Sequence, residues 1–203
     1  MENTINEITD AQLLGRYGDG DEEAFRELVG RYRNSLFSFL KQFLNRHDLV
    51  EDVFQETFLQ LYSSRNSFDM SRPLRPWLFT IAANKAKDAL RKSQRNATVS
   101  IGTLSASDEM SFDDVLNTLS HEKDIPVDQL QREETTKRVN RVVTEMPETL
   151  REILILAYFN RFSYKQMADI LSIPIGTVKS RLHTAVARFS RDWKTAIAKE
   201  VTE

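Results

Sequence analysis

Hydrophobic positions along this chain recur mainly at intervals of three and four residues, the period of an amphipathic helix. Ala24, Phe25, Leu28, Val29, Tyr32, Leu36, Phe39, Leu40 and Phe43 form the first long stripe, opened by Asp21. A second helix is predicted from about Asp48 to Tyr62, with Val50, Val53, Phe54, Phe58 and Leu61 inward. A third runs from Trp77 to about Arg95, burying Trp77, Leu78, Ile81, Ala82, Ala86 and Leu90. Ser63 to Pro76 between them reads as a loop, because its prolines suppress helix. Val139, Val142, Val143 and Met146 mark a further helix, and Pro147 opens the next at a first-turn position, with Leu150, Ile153, Leu154, Ala157 and Tyr158 inward.

Two short helices then occupy Ser163 to Phe189. Ser163 is a good N-cap, and Gln166 completes a capping-box pattern. Tyr164, Met167, Ala168 and Leu171 share one face of the first helix. Ser172-Ile173-Pro174-Ile175-Gly176 must be a turn, since Pro174 has no donor and restricts Ile173. The second helix has Val178, Leu182, Ala185 or Val186, and Phe189 inward. Thr177, Lys179, Ser180, Arg181, His183, Thr184 and Arg188 are left facing outward. Residues 97 to about 131 lack a sustained apolar period and are rich in serine and acids, with one helical turn suggested near Phe112–Leu119.

These elements imply an all-α chain of two small helical domains, residues 1–96 and 133–203, joined by a flexible acidic linker over 97–132. Six glycines and five prolines in 203 residues suit long helices better than a turn-rich β fold. The absence of cysteine excludes disulfides, zinc-thiolate sites and a thiol switch within this sequence. The N-terminal stretch has no basic segment followed by an apolar run, and no apolar stretch reaches the roughly 18 residues of a membrane span. The expectation is a cytoplasmic protein without membrane insertion.

Net charge is −2 overall, but its distribution is uneven. Residues 1–30 carry −6 and residues 72–95 carry +6. Residues 96–134 carry −7, and residues 161–191 carry +5. Two basic blocks therefore flank an acidic connector, a pattern suited to contact with a polyanion at two places. Asn84, Lys85, Lys87, Arg91, Lys92 and Arg95 crowd one side of the third helix with Asp88 as the one acid among them, so this side can follow a phosphate backbone. Ser163–Phe189 fits a helix-turn-helix whose second helix enters a major groove. The same pattern also suits two bundle helices that never touch DNA. Glu51, Asp52, Gln55, Glu56 and Gln60 make a polar face on the second helix that plain solvation would also explain. His47, His121 and His183 are far apart in sequence and no glycine-rich phosphate loop is present, so neither a catalytic set, a metal site nor a cofactor is expected.

Four motifs in this order give the sequence a family likeness. They are Asp48-Leu-Val-Glu-Asp-Val-Phe-Gln-Glu-Thr-Phe58, Arg75-Pro-Trp-Leu-Phe-Thr-Ile-Ala-Ala-Asn84, Met146-Pro-Glu-Thr-Leu-Arg-Glu152 and Gly176-Thr-Val-Lys-Ser-Arg-Leu182. From about Asp10 to Trp193 the chain resembles the extracytoplasmic-function (ECF) sigma factors, bacterial RNA polymerase specificity subunits of the sigma-70 family. The resemblance implies that residues 1–96 form region 2, which binds core polymerase and recognises and melts the minus-ten element. It makes residues 133–203 region 4, which reads the minus-thirty-five element as duplex. Glu51, Asp52, Gln55 and Glu56 then align with the docking surface for the clamp helices of the polymerase largest subunit, with the flap region as a further contact. Phe68, Asp69, Met70, Ser71 and Arg72 align with the loop that captures a flipped non-template base, and Asn84, Lys87, Arg91 and Lys92 with contacts to that strand. Thr177, Lys179, Ser180, Arg181, His183, Thr184 and Arg188 align with the minus-thirty-five reader. An anti-sigma factor is a further implied partner, and the acidic linker would thread the polymerase's basic channels.

The chain departs from the family pattern at Thr184 and Val186, where arginines are common, and at Asp69–Arg72, which differs from the commoner loop type. Two other readings stand beside the sigma factor. One is a helix-turn-helix regulator acting without core polymerase, which leaves the basic side of the third helix unexplained. The other is a sigma mimic that sequesters an anti-sigma factor, which has no need of the two basic blocks.

Overall fold

A computed structural model of the chain describes residues 8–44, 46–95 and 129–200. Among them the regular elements are all helical, and they divide into two compact units. The suggested turn at Phe112–Leu119 and most of the expected linker lie outside the described residues.

The first unit opens with α1 (Asp10–Gly18), which the hydrophobic pattern did not reveal. Thr9 caps it through a reciprocal box: the Gln12 N–H donates to Thr9 Oγ1 at 3.3 Å, and the Thr9 N–H donates to Gln12 Oε1 at 2.8 Å. Leu13 and Leu14 are buried, and Asp10 joins α1 to the next helix by pairing with Arg31 at 2.9 Å and accepting a hydrogen bond from the Tyr32 hydroxyl. Gly20 turns the chain at φ 98°, a conformation glycine adopts without strain. Asp21 then caps α2 (Glu22–Leu44), its Oδ1 accepting from the N–H groups of Glu23 and Ala24 at 3.0 and 3.1 Å.

The α2 stripe lies in the core largely as its spacing predicts, from Ala24 through Leu28, Leu36 and Phe39 to Phe43. Helix α3 (His47–Ser64) buries Val50, Val53, Phe58 and Leu61, together with Thr57, whose hydroxyl donates to the Val53 carbonyl at 2.7 Å. A short 3-10 turn (Arg65–Ser67) leads toward α4 (Leu74–Arg95). That helix begins at Leu74 rather than Trp77: Pro76 falls in its first turn, where a missing N–H costs nothing. Phe79, absent from the predicted inward set, is fully buried against Phe39 at 5.2 Å between ring centroids, while Leu90 is only half-buried.

The second unit holds α5 (Gln129–Glu145), α6 (Glu148–Leu154), α7 (Tyr164–Leu171) and α8 (Ile175–Glu200). Pro147 caps α6 from outside instead of entering its first turn. At its end α6 widens into a π-helical turn, Ile155–Phe159, closed by the Asn160 N–H and side-chain amide on the Ile155 carbonyl at 3.2 and 3.1 Å. Ser163 and Gln166 form the expected reciprocal cap on α7. Met167, Ala168 and Leu171 are buried with Ile170, whereas Tyr164 is exposed. The turn after α7 uses Ser172 at φ 54°, and the Ile173 N–H closes onto the Ala168 carbonyl at 3.1 Å. Helix α8 buries Val178, Leu182, Ala185, Val186 and Phe189, then continues well past Phe189, because no glycine or proline follows Gly176 to stop it.

Candidate nucleic-acid interface

Three surfaces carry the residues singled out in the sequence. The first is the turn between the 3-10 turn and α4. Phe68 is half-buried, its ring stacked on Trp77 with centroids 4.5 Å apart. Asp69 organises the turn from within: its Oδ1 accepts from the Ser71 N–H at 3.0 Å and from the Ser71 hydroxyl at 2.6 Å. The hydroxyl bond, then the backbone bond, holds the Asp69 carboxyl below the usual carboxylate range. Arg72 donates its N–H to the Asp69 carbonyl at 2.9 Å, and its guanidinium lies 3.4 Å from the Asp69 carboxylate. With the Phe68 ring stacked on Trp77, Met70 stands at the tip, 46 % exposed, beside exposed Asp69, Ser71 and Arg72. The turn thus presents a flexible apolar side chain and a cation on a preformed backbone, a combination that can receive an unstacked base and its phosphate.

Helix α4 carries the basic side. Asn84, Arg91 and Lys92 are exposed and Lys87 is partly so. Arg91 is 3.1 Å from Asp88 one turn back, and Lys85 is 3.6 Å from Glu56 of α3. Both pairs are solvent-exposed and weak, so a phosphate can displace the carboxylate at little cost. Arg75 in the first turn has a different setting. Burial pushes its guanidinium down in pKa, and the group sits 5.2 Å over the Phe79 ring.

The second surface is the outer side of α3. Glu51, Asp52, Gln55 and Glu56 are all exposed in one helical row. Leu59, one turn beyond Gln55, is 66 % exposed, and Tyr62 follows at 42 %. The acidic row therefore ends in an apolar patch that sequence reasoning missed. Its available signal was that Leu59 falls off the Val50–Leu61 inward stripe.

The third surface is the start of α8. Lys179, Ser180, His183 and Thr184 are exposed, and Thr177 is partly so. The Ser180 and Thr184 hydroxyls donate to carbonyls of their own helix, those of Thr177 at 3.2 Å and Ser180 at 3.0 Å. Arg188 donates to Asp192 at 2.6 Å along the helix. Arg181 does not point with these groups: its Nη1 lies 3.8 Å from Oε1 of Glu152, a buried carboxylate on α6. Arg151 beside it is buried too, donating to the carbonyls of Thr144 at 2.9 Å and Met146 at 3.5 Å. Neither Arg151 nor Glu152 was a candidate from composition or spacing. Ile155, four residues after Arg151 and apolar, was the available sign that Arg151 faces the core.

Among the described residues no group of three or more His, Asp or Glu side chains could hold a metal ion, and no helix is long and apolar enough to cross a membrane. What the three surfaces can do is bind: two basic faces toward nucleic acid, and one acidic, partly apolar face toward a protein.

Residues 28–96 match the family model "Sigma-70 region 2", and residues 136–189 match "Sigma-70, region 4". The sequence is 32% identical to the ECF RNA polymerase sigma-E factor of Haemophilus influenzae, over 88% of this chain and 92% of that protein. It is 29% identical to the ECF RNA polymerase sigma factor SigW of Bacillus subtilis, over 81% and 86%. A similar solved structure is that of the sigma factor RpoE of Bartonella quintana in complex with the anti-sigma factor NepR. It has a TM-score of 0.62 and 25% identity, covering 84% of this chain and 96% of that one.

Proposed function

The chain belongs to the ECF sigma factors of the sigma-70 family, and from that premise we propose how its surfaces divide the work of promoter-specific initiation. It is a transcription initiation factor, not itself an enzyme, and acts in the cytoplasm where core RNA polymerase resides. Residues 1–96 dock on core through Glu51, Asp52, Gln55 and Glu56, placed against the clamp helices of the largest subunit, with Leu59 and Tyr62 extending the contact. The flap region is a further contact on core. The turn Phe68–Arg72 receives a base of the minus-ten non-template strand, and Asn84, Lys87, Arg91 and Lys92 follow its phosphates. Residues 97–132 connect the units. Residues 133–203 read the minus-thirty-five duplex from the start of α8.

The observation that carries this reading is the pairing of two family regions, in order on one chain, with exposed cations on each, Arg91 and Lys92 on α4 and Lys179 on α8. A regulator that acts without core polymerase has no use for the α4 face, and a sigma mimic has no use for either face. The relative that was solved with an anti-sigma factor supports an anti-sigma factor as a regulatory partner here. Duplex opening under this reading draws on capture of the extruded base rather than on nucleotide hydrolysis. Unstacking costs a few kcal/mol, which the apolar tip and phosphate contacts offset.

Run-off transcription with purified core polymerase on a library of promoter templates tests the reading. The expected result is a discrete start site that requires the protein. Sequence-specific DNA binding by the protein alone, with no start from any template, would replace it by the polymerase-independent regulator.

A further inference from the structure

The most deeply buried carboxylate described in the second unit is Glu152, at 2 % exposure. Its neighbours in sequence, Arg151 and Ile153 through Leu156, are buried with it. A carboxylate in such surroundings loses its hydration and persists as an ion only where a cation faces it. From α8 the facing cation is Arg181, at 3.8 Å. Behind Glu152, the Arg151 guanidinium donates to the carbonyls of Thr144 in α5 and of Met146 just beyond it; burial pushes its pKa down, and the charges of Glu148 and Glu152 oppose that shift. Two neighbouring residues of α6 thus face different partners, Arg151 the end of α5 and Glu152 the first turns of α8.

Helical geometry says where this leaves Arg181. At about 100° per residue, Lys179, His183, Ser180 and Thr184 occupy one arc of about 140°. Val178, Leu182, Ala185, Val186 and Phe189 occupy the opposite, buried arc. Arg181 lies about 130° from the centre of the exposed arc, on the flank against the unit's body. Only 35% of its side chain is accessible. An arginine reads guanine by presenting a guanidinium edge squarely to the base, and this one is drawn toward the interior.

Resting on the sigma-factor reading above, we propose that Glu152 is a positioning residue for promoter recognition: through Arg181 it fixes the rotation of α8, and base readout falls to Lys179, Ser180, His183 and Thr184. Arg181 thereby orients the reading helix without reading bases. The two charged residues reside in two different motifs, Met146–Glu152 and Gly176–Leu182, and the pair is a polar contact between them.

The test uses reconstituted holoenzyme and templates randomised over the minus-thirty-five element, with initiation scored for each sequence and thermal unfolding measured alongside. Three variants are compared with the unmodified protein: R181M, E152Q and the double variant. R181M removes the cation that α8 supplies to Glu152, so unfolding should come at lower temperature and initiation should fall by a similar factor on every sequence, with the order of base preferences kept. In E152Q the demand for a cation is gone, so adding R181M to it should cost less than twofold. K179A, by contrast, should change preference at one base pair by tenfold or more. Loss of discrimination at one base pair in R181M, with unfolding unchanged, would overturn the assignment. A tenfold cost of adding R181M to E152Q would do the same, and it decides the matter even if R181M alone fails to fold. Absence of any promoter-specific start with the unmodified protein would instead overturn the sigma-factor reading on which the proposal rests.

Discussion

Phe68 and Trp77 stack with ring planes 25° from parallel and centroids 4.5 Å apart, joining the chain just before the Asp69–Arg72 turn to the first turns of α4. The stack anchors one end of the turn, and the Asp69–Ser71 hydrogen bonds shape its middle. The exposed tip at Met70 is therefore held from beneath.

Phe68→Ala removes an aromatic pair that contributes about 0.5–1.5 kcal/mol beyond its burial. Helical content should stay the same and thermal stability should drop slightly. Opening of the minus-ten region by holoenzyme, followed by permanganate reactivity of unpaired thymines, should fall tenfold or more. Opening at the normal level would show that the turn keeps its shape without the stack.

Asp52 is fully on the outside of α3, so Asp52→Arg should leave the circular dichroism spectrum and unfolding temperature close to normal. Pull-down of core polymerase should be lost, since a like charge then faces a surface selected for an acid. Retention of core at the usual level would remove the α3 row from the interface.

Lys92 is exposed on α4 and suits a point-charge contact to one phosphate. In holoenzyme, Lys92→Ala should reduce the slope of log affinity against log salt by about one and weaken all promoters alike. A slope equal to that of the unmodified protein would place Lys92 off the DNA.

Acid should expose the role of Asp21. Its N-cap bond to the Ala24 N–H, followed by the Arg16 hydrogen bond, lowers the carboxyl below its ordinary range. A group depressed in the folded state contributes stability above its unfolded pKa and loses it as pH falls through the folded value. Asp21→Asn still caps but cannot titrate. Its unfolding temperature should therefore decline less steeply than that of the unmodified protein below about pH 4. Parallel acid limbs for the two proteins would assign that stability elsewhere.

Much of the architecture could be read from spacing alone, because the stripes of α2 and α8 are long and uninterrupted, and a 3.6-residue period over many turns has no other explanation. Boundaries were less legible. Trp77 looked like the start of α4 because Pro76 reads as a breaker, although in a first turn proline breaks nothing. Helix α1 escaped notice because it is short and carries two glycines, and what secures it is tertiary: Asp10 meeting Arg31 and Tyr32. Of the interface, the exposed residues were visible as charges off the stripe. The supporting contacts were not. A charged pair such as Arg151-Glu152 reads as surface by residue type, and its burial depends on α5 and α8 being folded around it. Phe68 and Asp69 likewise give no sign in the sequence of the stack on Trp77 and the hydrogen bonds to Ser71 that shape the turn.

Helix α8 runs unbroken from Ile175 to Glu200, about 39 Å of rod with no glycine or proline after its second residue. Near its far end Trp193 stacks on Phe189, with the Arg138 guanidinium of α5 over its ring at 5.8 Å. The segment around Trp193 and the first turns of α8 therefore belong to one continuous helix whose middle is packed in the unit's core. Between Trp193 and Lys179 there is no glycine or proline, so the helix between them has no built-in hinge and a displacement at one end is carried toward the other.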